Sequence, residues 1–109
     1  ELGLTNEQKM ALGGILREKK PEIVTVITNL RDKHRRMADL ALADNTNEAA
    51  LRAAARDLGA AIGDGAILRA RLHKAIYAVL TPEQRAKADS ARSEIRGMVD
   101  DRLAEIAAQ

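Results

Sequence analysis

The stretch Leu80-Thr81-Pro82-Glu83-Gln84 decides how this chain folds. Leu80 closes an apolar run. Thr81 is a good N-cap, because its hydroxyl can accept from an orphan N–H of the helix that follows. Pro82 suits the first helical position, where no N–H is needed and φ is already helical. Glu83 places negative charge at the positive end of the helix dipole. Gln84, three residues past the cap, can reach back to the Thr81 N–H and complete a capping box. The stretch therefore reads as the end of one helix and the start of the next. The same signature stands at Leu4-Thr5-Asn6-Glu7-Gln8, so the motif Leu-Thr-x-x-Gln occurs at both ends of the chain's central part.

Working outward, Thr5 starts a first helix that runs to about Glu18, with Gly13-Gly14 inside it as a packing or bending point. Lys19-Lys20-Pro21 reads as a break, since proline disfavours helical geometry in the residue before it. A second helix is expected from Pro21 to Ala43, with Ile23, Ile27, Leu30, His34, Met37 and Ala41 on one stripe. Asp44-Asn45-Thr46-Asn47 is a turn of residues that bond their own backbone. It is short enough to fold the next helix back as an antiparallel hairpin. That third helix runs to Val79, with Leu51, Leu58, Ile62, Leu72 and Ile76 on its buried side. Ala55, Gly59 and Gly63, four apart, are expected to let a partner helix approach closely, and Asp64-Gly65 to bend or loosen the helix. A fourth helix runs from Pro82 to about Ala107, with alternating charges of a solvated face.

The 109 residues are 46% hydrophobic but only 1% aromatic, Tyr77 being the sole aromatic residue of that count. Aliphatic and alanine-rich helices bury little area each, so one elongated domain over residues 1–109 is expected, and not a large globular core. A third helix of this length spans roughly 50 Å at helical rise, which rules out a compact sphere. Such thin, wide stripes are covered most simply by self-association along the long helices, and a homodimer is expected.

With 18 Lys and Arg against 16 Asp and Glu, the chain has a net charge of +2, well short of a nucleic-acid binder. Cysteine is absent, which excludes disulfides and thiolate metal sites. No run reaches the ~20 apolar residues of a membrane span, so no membrane insertion is expected. No signal-peptide pattern is readable in these residues. No nucleophile–His–acid set, paired catalytic carboxylates or cofactor fingerprint is present, so catalysis is not expected and no cofactor is implied. The basic run Arg31, Lys33, Arg35 and Arg36 has two readings, a solvated helix face or a contact surface for partners. His34 and His73 are the only histidines and the only candidate metal ligands. In a hairpin turning near residue 45 they lie roughly 25 Å apart within one chain. No metal site is assigned.

The doubled motif, and above all the run Ile76-Tyr77-Ala78-Val79-Leu80-Thr81-Pro82-Glu83-Gln84-Arg85, resembles the Spy/CpxP family of bacterial periplasmic proteins, and the similarity covers nearly the whole chain. The resemblance implies an all-α fold of four helices around a long antiparallel hairpin, paired into a shallow, cradle-like antiparallel homodimer. It implies that Leu4, Thr5, Gln8, Leu80, Thr81 and Gln84 are structural, capping helices and tying their ends together. It implies a periplasmic, ATP-independent holdase chaperone that holds unfolded client proteins on a concave face. By position, that face would carry His34, Met37 and Ala41 together with Arg69 and His73, with Arg31 and Arg35 beside them. A second implied function is regulatory: CpxP-type relatives inhibit an envelope-stress sensor kinase, and the ZraP and CnrX types respond to metals. A purely structural dimer is the third class. A mixed apolar and basic surface suits weak binding of many unfolded clients, and no phosphate-cradling glycine loop is present.

Overall fold

A computed structural model describes residues 2–108. It is all-α, with three helices: α1 (Asn6–Leu42), α2 (Glu48–Val79) and α3 (Pro82–Ala108). No strand occurs among the described residues. The turn over 43–47 folds α2 back along α1, and these two helices form the packed pair of the molecule. Asn47 caps α2, its side-chain oxygen accepting from the Ala50 N–H at 3.0 Å. Antiparallel alignment is fixed along the length by Gly65 against Leu30 and Val26, and by Arg71 beside Glu22 at 3.6 Å.

Three helices replace the four expected. The break at Lys19-Lys20-Pro21 does not form, and α1 runs through Pro21 for 37 residues. Pro21 has no N–H to offer the carbonyl of residue 17, a loss that costs about 3 kcal/mol inside a helix. The apolar face outweighs it. Leu12, Ile15, Ile23, Val26 and Leu30 keep one unbroken register across the proline and are all partly buried. Half-burying each aliphatic side chain contributes about 1 kcal/mol. Pro21 falls on the exposed side, where its ring meets water, and its carbonyl accepts from Thr25 Oγ1 at 2.9 Å.

The stripes also shift. The face of α1 that meets α2 passes through Ile23, Val26, Leu30, Lys33, Met37 and Leu40, leaving Ile27, His34 and Ala41 exposed. On α2, Leu51, Leu58, Leu72 and Ile76 are partly buried as expected, the fully buried residues are Ala54, Ala61 and Leu68, seven apart, and Ile62 is exposed. Ala55, Gly59 and Gly63 do not form the close approach. All three are exposed, and a Cβ built on either glycine meets nothing within 4 Å. The close approach is at Gly65, whose added Cβ would lie 3.4 Å from Leu30 Cδ1 and 3.5 Å from Val26 Cγ1. Asp64-Gly65 is regular helix, because the missing side chain serves packing there and not a break.

The molecule is long and thin. Its extents are 56 × 41 × 16 Å and its radius of gyration is 18.8 Å, against about 13 Å for a compact chain of this length. The 37 residues of α1 account for the longest dimension at helical rise. Helix α3 starts at the open end of the hairpin and then diverges from it. Every residue from 89 to 108 is exposed.

Candidate functional site

Both capping boxes form, and they close on each other. The Gln8 N–H donates to Thr5 Oγ1 at 3.1 Å, and the Thr5 N–H donates to Gln8 Oε1 at 2.9 Å. The second motif repeats this geometry: Gln84 N–H to Thr81 Oγ1 at 3.1 Å, and Thr81 N–H to Gln84 Oε1 at 2.9 Å. The two glutamine amides then pair reciprocally. Gln8 Nε2 donates to Gln84 Oε1 at 2.7 Å, and Gln84 Nε2 donates to Gln8 Oε1 at 3.1 Å. Their remaining N–H capacity goes to main-chain carbonyls: Gln8 Nε2 to Val79 O, and Gln84 Nε2 to Leu2 O and Gly3 O. Each amide thus works with both its donors and its acceptor. Gln84 is only 7% exposed and Leu80 only 4%. Leu4, before the first cap, is partly buried. Gly3, at φ 65°, turns the chain so that its carbonyl faces Gln84, a left-handed conformation that glycine adopts without strain. The start of α1, the end of α2 and the start of α3 are held in one clasp.

Outside the clasp, α2 and α3 are joined by a small polar cluster. The Tyr77 hydroxyl donates to Asp89 Oδ1 at 2.9 Å, and Arg92 Nη2 donates to the same oxygen at 3.1 Å. Arg92 Nη1 lies 3.4 Å from His73 Nε2. The His73 and Tyr77 rings stack with centroids 3.9 Å apart. Arg85 Nε donates at 2.6 Å to the Tyr77 carbonyl, which also accepts from the Leu80 N–H at the end of α2. The Tyr77 phenol is pushed above its ordinary pKa, first by the hydrogen bond to Asp89, then by desolvation and the Asp89 charge, with Arg92 opposing.

The residues singled out for client contact divide into two groups. Arg69 and His73 come together in a groove between α2 and α3, joined there by Arg92 and Arg96. His34, Met37 and Ala41 lie toward the hairpin turn, with Met37 partly buried against α2 and the other two exposed. Since Arg71 lies beside Glu22, the two groups are separated by about 20 Å along the hairpin. Arg31 donates to Asp32 at 3.2 Å, while Arg35 lines a shallow depression with Asp32, Arg36, Asp39 and Leu40. Among the described residues, no three His, Asp or Glu side chains converge as a metal-binding group.

Sequence reading missed Asp89, Arg92 and Arg96. They recur at i, i+3 and i+7 on one face of α3, a pattern that was legible but indistinguishable from a solvated face without knowing that α3 starts beside α2. Large apolar side chains also stand in water: Met10, Ile27 and Ile62, and on α3 Ile95, Met98 and Leu103, each more than half exposed. Among the described residues, no helix is long and apolar enough to cross a membrane.

Comparison with curated proteins and with solved structures returns no match. The pattern of the LTXXQ motif family matches residues 1–92, which include both caps, the hairpin and the clasp. With that match over most of its length, the chain belongs to the LTXXQ motif family, the family of Spy/CpxP-type proteins.

Proposed function

We propose that this chain is a periplasmic, ATP-independent holdase that acts as a homodimer and binds unfolded or aggregation-prone proteins without catalysis. The observation that carries the reading is the amount of surface left in water, with many large aliphatic side chains in it, on a scaffold tied at one end. The chain exposes 8547 Å², whereas a compact monomer of its 11.8 kDa exposes about 5,900 Å². That excess includes aliphatic side chains interleaved with arginines, the mixture that suits weak contact with segments of varied sequence. Charge speeds encounter, and shallow apolar contacts let go without an energy source. The same excess favours a second copy along the helices, since scattered aliphatic groups over rods this thin need cover.

The test is light scattering by a chemically denatured client diluted into buffer with the purified chain. Suppression of aggregation at stoichiometric ratios is expected, and unchanged aggregation rejects the reading. Calorimetric titration with zinc, nickel, cobalt and copper separates the regulatory alternative, which a tight single-site heat would favour.

A further inference from the structure

We infer that the crevice between α2 and α3 recognises carboxylate-bearing peptide segments that carry an apolar residue beside the acid, an inference that rests on the client-holding reading above and names the clients it favours. The crevice is a shallow groove of about 410 Å³, with Arg69 and His73 on α2 facing Arg92 and Arg96 on α3. The two helices thus contribute three guanidinium groups to one opening. Arg92 is held by Asp89 and His73. Among the described residues neither Arg69 nor Arg96 forms an ion pair. Asp89 is already shared by Tyr77 and Arg92, so the groove keeps a net positive charge. Guanidinium offers a carboxylate two parallel N–H donors, a geometry that an ammonium lacks.

A second groove, of about 520 Å³, shares Arg69 and Arg92 with the first and is lined on its other side by Ala88, Ala91 and Ile95. Ile95 is 62% exposed. One bound segment can therefore place an acidic side chain on the guanidinium groups and an aliphatic one on this alanine-and-isoleucine patch. A free phosphate would use only the first half of the surface. A single-stranded nucleic acid would need aromatic platforms, and the one aromatic ring nearby is already stacked on His73.

Fluorescence anisotropy with a labelled, flexible peptide of Asp-Asp-Leu blocks tests this, compared with the same peptide carrying Asn for Asp. The acidic peptide is expected to bind roughly tenfold more tightly, as two exposed charge pairs would give. R69Q/R96Q should abolish that preference. R52Q/R56Q, which makes the same change in net charge at exposed positions of α2 near the hairpin turn, should keep it. Equal binding of the two peptides, or equal weakening by both double variants, overturns the inference. So does displacement of the peptide by inorganic phosphate that is unaffected when Leu is replaced by Ser, which would mark a plain anion site. Suppressed aggregation without acid preference sinks this inference alone. Acid preference without suppressed aggregation sinks the client-holding reading alone.

Discussion

Four residues, Thr5, Gln8, Thr81 and Gln84, bring three helix ends of this fold to one point. A capping box normally satisfies two orphan donors at one helix start. Here each glutamine also pairs with the other, so removing one amide takes away the link between the two boxes. Gln84→Ala should cost about 3 kcal/mol, because the Thr81 N–H loses its side-chain acceptor, the Leu2 and Gly3 carbonyls lose their donor, and the Gln8 amide keeps only its bonds to Thr5 and Val79. Urea denaturation measures it, and a loss below 1 kcal/mol would mean that water replaces the amide without penalty. The two boxes were legible in the sequence, since spacing alone sets them. The pairing of Gln8 with Gln84 was not derivable from spacing, because it depends on where two helix ends 76 residues apart meet.

Tyr77 gives a second residue-scale test. It is the sole tyrosine and there is no tryptophan, so ultraviolet titration reads it alone. Its phenol should ionise above the value of an exposed tyrosine, and Asp89→Ala should bring it back toward that value. The sign of the linkage follows from the direction. With the folded pKa raised, the Tyr77–Asp89 bond adds stability below the unfolded phenol pKa, and that stability is lost as pH rises through the folded pKa. A midpoint unchanged by Asp89→Ala would contradict the hydrogen bond.

Among the elements, the history of Pro21 shows where local rules stop. Proline after two lysines is a sound stop signal, and the turn at Asp44–Asn47, read by the same logic, stands where expected. What differs is packing. At Pro21 the apolar register continues on both sides, whereas at 43–47 it does not. If Pro21 sat at the start of a separate helix, replacing it would be neutral or harmful. In the middle of α1, Pro21→Ala restores an N–H and a hydrogen bond, and should raise stability by about 2 kcal/mol. A lowered melting temperature would mean that α1 is broken there.

The glycines of α2 make the matching case. Gly59 and Gly63 were read as contact points from their spacing with Ala55, but spacing gives a face without saying which face meets α1. Only the register with Leu30 and Val26 picks out Gly65. Since nothing lies within 4 Å of a Cβ at 59 or 63, Gly59→Ala and Gly63→Ala should each stabilise α2 by about 0.5–1 kcal/mol. Destabilisation by either would place a partner helix on that face.

At the scale of the whole molecule, the sequence conveyed an elongated, all-helical chain with a thin core, because helix length and the lack of aromatic residues bound how much can be buried. It did not convey the direction of α3, which depends on the clasp and on the Tyr77–Asp89 and His73–Arg92 contacts. The groove lined by Arg69 and Arg96 exists only because of that direction. The molecule thus has a hydrogen-bonded clasp at one end and exposed aliphatic and basic surface along the rest.

Methyl NMR of the chain with a denatured client addresses this account most directly, because it reads surface and interior in one experiment. The account predicts shifts at the exposed methyls of Ile62, Ile67, Ile95 and Met98, with Ala54, Ala61, Leu68 and Leu80 unmoved. Shifts concentrated in those buried methyls, or none anywhere, would contradict it.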